Sequence, residues 1–158
     1  MGVFTTEGEQ VTTVAPAILY KAIVLDFSNI FPKALPNLVK SVEIIEGDGG
    51  PGTIKKFTFA QGGTVKHKVD LIGVDNYVYH YTIIEGNVLS EAVELEKVSY
   101  EYKLVPKADG GGIIKFRRQY YTKGDAQLTQ EFLKASQETS DGFLRALEDY
   151  LLANPHYN

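Results

Sequence analysis

The sequence predicts an α+β domain in which a seven-stranded antiparallel sheet curls around one long C-terminal helix. Three observations lead there. From Val39 to Lys123 the hydrophobic period is two, over the runs Val39–Glu46, Thr53–Ala60, Val65–Gly73, Tyr77–Glu85, Glu94–Val105 and Ile113–Lys123. The connections, such as Asp75-Asn76 and Asp109-Gly110-Gly111-Gly112, are too short for crossover helices, so neighbouring strands must run antiparallel. From Gln127 to Leu152 the period turns helical, over about seven turns, long enough to cross a small domain. A sheet of this size hides one face only by wrapping something, and that helix is the one candidate.

Taken in order, Val3 to Val14 is rich in Val and Thr and reads as a first strand interrupted by Gly8. Pro16 ends it and opens a helix to about Leu25, with Leu19, Ala22 and Ile23 on one apolar face. Ser28 is placed to cap a second short helix running through Phe31 to about Leu35, which must stop before Pro36. In the strands, Tyr79, Tyr81 and Ile83 share a face, as do Val98, Tyr100, Tyr102 and Leu104, and Ile114, Phe116, Arg118 and Tyr120. Lys97, Ser99, Glu101, Lys103, Lys115 and Arg117 alternate outward. Five inward tyrosines need five hydroxyl partners, which suits a wet, roomy interior better than a dry core. The long helix has a stripe centred on Phe132, with Leu128, Ala135, Ser136, Thr139, Phe143, Ala146, Leu147 and Tyr150; Gln130, Lys134, Gln137, Asp141, Arg145 and Asp149 form its polar face. Small residues in mid-stripe cannot fill a core, so a space is expected beneath them.

At 158 residues, with no linker dividing it, the chain is read as one domain, 1–158, that needs no staples. Lacking Cys, it has no disulfide or thiolate chemistry, and it suits a reducing cytoplasm. A net charge of −4 with bases and acids interleaved argues against general nucleic-acid binding, so any RNA contact would be local. No apolar run is long enough to span a membrane. His67, His80 and His156 have no ligand spacing, so neither a metal site nor a histidine triad is expected.

Two features invite chemistry. The loop Glu46-Gly47-Asp48-Gly49-Gly50-Pro51-Gly52-Thr53 has glycines at Walker spacing, but Thr53 stands where the lysine belongs, and a strand follows where a helix is needed; a rigid hairpin connection is the better reading. Lys55 alternates in phase with Phe57 and Phe59, so it points inward and needs a counter-charge or a ligand. Glu148 and Tyr150, near the end of the long helix, read as a surface acid and a stripe aromatic.

The glycine loop with Thr53-Ile54-Lys55-Lys56, the opening Met1-Gly2-Val3-Phe4, the Ile84-Glu85-Gly86 turn, Tyr121-Thr122-Lys123-Gly124-Asp125 and the closing Leu152-Ala153-Asn154-Pro155 together resemble the class-ten family of plant pathogenesis-related proteins, the family of the major birch pollen allergen. The resemblance covers the whole chain. It implies a helix-grip fold with a large internal cavity, a cytoplasmic plant protein tied to stress or defence, and binding of flavonoids, cytokinins, steroids and other amphiphiles for storage or transport. On that reading the ligand meets Ile23, Phe31, Lys55, Phe57, Phe59, Tyr79, Tyr81, Ile83, Tyr100, Tyr102, Phe116, Arg118, Tyr120, Phe132, Ser136, Thr139 and Phe143, with no cofactor, no metal, no membrane and a monomeric chain. One rival is a ribonuclease, for which the resemblance implies Lys55, Glu148 and Tyr150. Another is an interaction module that takes a protein partner when loaded, through the glycine loop, Gly62-Gly63 and Asn87 to Glu91. Two departures from the family pattern stand out: Gln61-Gly62-Gly63 shortens a turn, which is expected to widen one cavity mouth, and Arg118 stands where an uncharged residue is more usual.

Overall fold

The computed structural model describes residues 2–86, 89 and 94–157. Strand β1 (Val3–Thr12) is followed by α1 (Pro16–Tyr20) and α2 (Phe27–Ala34). Then come β2 (Val39–Glu46), β3 (Ile54–Phe59), β4 (Thr64–Gly73), β5 (Val78–Gly86), β6 (Leu95–Pro106) and β7 (Gly112–Thr122), and last α3 (Gln130–Ala153). The seven strands form one antiparallel sheet in the order β1-β7-β6-β5-β4-β3-β2. Register irregularities beside Lys40, Ile45, Asp70 and Glu96 bend the strands that carry them, which lets the sheet wrap α3.

Gly8 does not interrupt β1. It pairs with Phe116 across to β7, and a Cβ there would lie 2.4 Å from the Phe116 ring. The missing side chain makes room for an aromatic laid over the neighbouring strand; continuity of pairing on both sides keeps the strand whole.

Helix α1 runs on as a π-helical turn, Lys21–Leu25, closed by Asp26 N–H donating to the Lys21 carbonyl at 2.8 Å. Ser28 is not a cap. Helix α2 already begins at Phe27, the carbonyl of Asp26 accepts from the Asn29 and Ile30 amides, and Ser28 is exposed. At the other end Leu35 leaves the helical region before Pro36.

Helix α3 is capped by the Thr129 hydroxyl, which accepts from Phe132 N–H at 3.0 Å. Its inward face is rotated from the stripe centred on Phe132. Leu147, Glu148 and Leu151 are buried, Leu133, Gln137, Asp141 and Leu144 are half-buried, and Ala135 and Thr139 are exposed. Two polar residues assigned outward therefore turn in, because a buried arginine on β7 takes one of them. The C-terminal half of α3 closes on the main core with Leu19, Ile30, Val39, Val98 and Ile114, whereas its middle stands off the sheet.

The glycine loop joins β2 to β3 and folds around Thr53, whose hydroxyl accepts from Gly49 N–H at 2.8 Å. Gly47 has φ 95°, and a Cβ there would sit 2.7 Å from Thr53 Cα. The loop is a hairpin clasp.

Candidate functional site

Between the concave face of the sheet, the α1–α2 segment and the middle of α3 lies a cavity of about 320 Å³. Ile23, Phe31, Lys55, Phe57, Phe59, Tyr79, Tyr81, Ile83, Tyr100, Tyr102, Phe116, Arg118, Thr139 and Phe143 line it. Tyr120, Phe132 and Ser136 do not. The Tyr120 and Ser136 hydroxyls meet at 2.9 Å, and the Tyr120 ring packs edge-on against Phe132 at 6.0 Å, so this trio fills the interior beyond the cavity.

The cavity floor is a file of planar groups. Phe57 lies 4.4 Å from His67, His67 stacks on Tyr81 at 4.5 Å, and Tyr81 stacks on Tyr100 at 4.9 Å with planes 6° apart. Arg118 ends the file, its guanidinium carbon 5.4 Å from the Tyr100 ring. Tyr81, Tyr100 and Arg118 are direct register partners across β5, β6 and β7. Rings stacked at the strand spacing must stand upright on the sheet, so they present edges and hydroxyls to the cavity. Ring edges carry partial positive charge. Burial raises the pKa of the Tyr81 and Tyr100 phenols, which stay neutral donors, and among the described residues neither hydroxyl has a hydrogen-bond partner.

Two cations face this space. Lys55 is 1% exposed and Arg118 2%, and neither forms an ion pair among the described residues. Lys55 Nζ donates to the Tyr79 hydroxyl at 3.1 Å and lies 3.6 Å from the centre of the Phe27 ring. Burial brings its pKa down to about 7. Arg118 Nη1 donates to the Gln137 side-chain carbonyl, Nη2 makes a long 3.5 Å approach to the Tyr102 hydroxyl, and the buried Nε–H has no partner. Gln137 passes the contact on, donating to Asp141 Oδ1 at 2.7 Å.

Several lining residues were not singled out by sequence. His67 is the most informative, because its phase with Val65 and Val69 was a legible signal that reading for metal spacing passed over. Burial, then the nearby Lys55, lower its pKa to about 3, so it is neutral. Asp141, Ser140 and Leu144 were missed with the rotation of α3.

Glu148 is not a surface acid. It is buried and accepts from the Thr12 hydroxyl at 2.6 Å, and no hydrogen bond or ion pair joins it to Lys55. Tyr150 is half-buried against the core, with its carbonyl accepting from Asn154. Of the loops read as a partner surface, Gly62-Gly63 and the glycine loop apart from its buried Thr53 are exposed or half-buried, while Asn87 to Glu91 falls outside the described residues except for Leu89.

With this geometry in hand, comparison with known proteins is specific. The model of the family described as "Pathogenesis-related protein Bet v 1 family" matches residues 1–154. The chain is 50% identical to the major strawberry allergen Fra a 1.04 of Fragaria ananassa, covering 99% of this chain and 98% of that one. It is 49% identical to class-10 pathogenesis-related protein 1 of Medicago truncatula, covering 99% and 100%. The crystal structure of Ara h 8.0201 superposes with a TM-score of 0.85 at 44% identity, covering 96% and 99%. Norcoclaurine synthase from Thalictrum flavum, solved with dopamine and hydroxybenzaldehyde, shares the fold at a TM-score of 0.70 and 22% identity, covering 96% and 88%.

Proposed function

The chain belongs to the Bet v 1 family of pathogenesis-related proteins, and from that membership and the build of its interior we propose that it carries small amphiphilic ligands in the cavity, for storage or transport. The observation that carries the proposal is the unfilled space itself. Its volume lies at the lower end of ligand pockets. Interiors are normally packed to crystal density, so about 320 Å³ that side chains do not fill is room of ligand size. Flavonoids, cytokinins and steroids are the ligand classes proposed, in a cytoplasmic, monomeric protein without metal or cofactor. The ribonuclease alternative has no comparable support, since Glu148 is held by Thr12 and is not among the residues that line the cavity beside Lys55.

Nile red, a neutral dye whose emission rises in apolar surroundings, tests the carrier reading. Micromolar binding, reversed by a flavonoid, a steroid or a cytokinin, is the expected result. A saturating dye concentration with no bound fraction would sink the proposal.

A further inference from the structure

We infer that the β7 end of the cavity is a preformed anion subsite, in which Arg118 and the upright phenols of Tyr100 and Tyr102 receive the carboxylate, sulfate or phenolate head of an amphiphile while its apolar body lies along the ring file towards Phe57. This rests on the carrier reading and narrows it to acidic ligands.

The argument begins with burial. A guanidinium keeps its proton at any accessible pH, so Arg118 brings a full positive charge into an interior that shields it from water. Such a charge needs a carboxylate, and Arg118 has none in direct contact among the described residues. Gln137 is an uncharged acceptor, and it separates Arg118 from Asp141. The protein thus orients the guanidinium without neutralising it. Of the five N–H donors that an arginine carries, two are engaged, one of them at 3.5 Å, and Nε–H has no acceptor.

The surroundings hold the guanidinium in place without a carboxylate in contact with it. The Phe116 ring centre lies 4.5 Å from the guanidinium carbon and the Tyr100 ring centre 5.4 Å away, so both rings are within cation–π reach of the group. Tyr100 adds a neutral hydroxyl with no acceptor, and His67 contributes no charge. An acidic oxygen placed here accepts from Arg118 and from a phenol at once, which is the geometry of charge-assisted recognition. A neutral polar head would leave the buried charge as it stands.

A matched pair of ligands reads this directly. In displacement of Nile red at pH 7, 2-naphthoic acid should bind about 10- to 100-fold more tightly than 2-naphthamide, the span of a charge-assisted hydrogen bond. In Arg118→Gln the acid should fall by about the same factor while the amide moves less than roughly twofold, and Arg118→Lys should restore part of the preference. A second measurement needs no variant: in the unaltered protein, lowering the pH until the naphthoic acid is protonated should erase the preference. Equal affinity for acid and amide in the unaltered protein would overturn the subsite and leave the carrier reading standing. An acid preference that survives Arg118→Gln would also overturn it and move the selectivity to Lys55. Failure of Nile red to bind at all would overturn the carrier reading, and this one with it.

Discussion

At the β3 end of the cavity Lys55 sits against Phe27 and Tyr79 with one neutral hydrogen-bond partner; at the β7 end Arg118 sits between Phe116 and Tyr100 in a chain through Gln137 to Asp141. The two side chains are equally buried, and the difference lies in how each escapes the cost of a charge away from water. A lysine can release its proton, and the pKa of about 7 places Lys55 midway through that release at neutral pH. An arginine cannot, so it must be bonded. The end that titrates has one neutral hydrogen-bond partner, and the end that cannot is tied through Gln137 to a carboxylate.

The largest expected effect sharpens that contrast through pH. Because the Lys55 amine has a pKa of about 7 in the folded chain and 10.5 in the unfolded one, the unfolded chain holds the extra proton between those values. Stability therefore rises with pH across that window, and the penalty is complete below pH 7. Lys55→Met keeps the length of the side chain and removes the charge. It should stabilise the protein by about 2–4 kcal/mol at pH 6, with most of the gain gone by pH 10, read from urea unfolding at both values. An equal gain at both would mean that Lys55 holds its proton alike in the folded and unfolded chains, and the contrast with Arg118 would fall.

A second effect acts on the ring beneath the guanidinium. A methyl group at Gly8 would meet the Phe116 ring at 2.4 Å, and the ring must move or the strands must part. Gly8→Ala should cost about 1–3 kcal/mol, as overpacking does, with no dependence on pH between 6 and 10. It should also shift the side-chain NMR signals of Arg118 while leaving those of Lys55 in place. Movement of both sets would show that the two ends are mechanically coupled.

That Gly8 serves a ring and does not break a strand shows where sequence reading stops. The sheet was legible because alternation is a local property: the inward phase of Lys55, Phe57, Tyr79, Tyr81, Tyr100 and Arg118 follows from counting by two. His67 obeys the same count, a signal of its inward position that is independent of metal-ligand spacing. The face of α3 was harder, since its apolar residues spread over a wide arc and Gln137 and Asp141 look solvated in sequence. What turns them inward is Arg118, on another element, and no window along α3 contains it. Glu148 failed for the same reason, its partner Thr12 being 136 positions away. Pairings between polar groups distant in sequence leave no periodic trace, and these settle the site's electrostatics.

The smallest effect concerns the far end of that relay. Asp141 lines the cavity and holds the Gln137 amide, so its carboxylate fixes which end of the amide meets Arg118 and lends the site a negative charge one residue removed. An acidic ligand at Arg118 must tolerate that charge. Across an intervening side chain and a partly wet interior the repulsion is worth roughly 0.5–1 kcal/mol. Asp141→Asn retains a carbonyl oxygen to accept from Gln137 and removes the charge. It should tighten 2-naphthoic acid by about two- to fivefold, leave 2-naphthamide unchanged, and alter the unfolding free energy by less than about 1 kcal/mol. Weaker binding of the acid would show that Asp141 matters more as the anchor of Gln137 than as a competing charge, and would make the Arg118 end depend on the whole relay for its orientation.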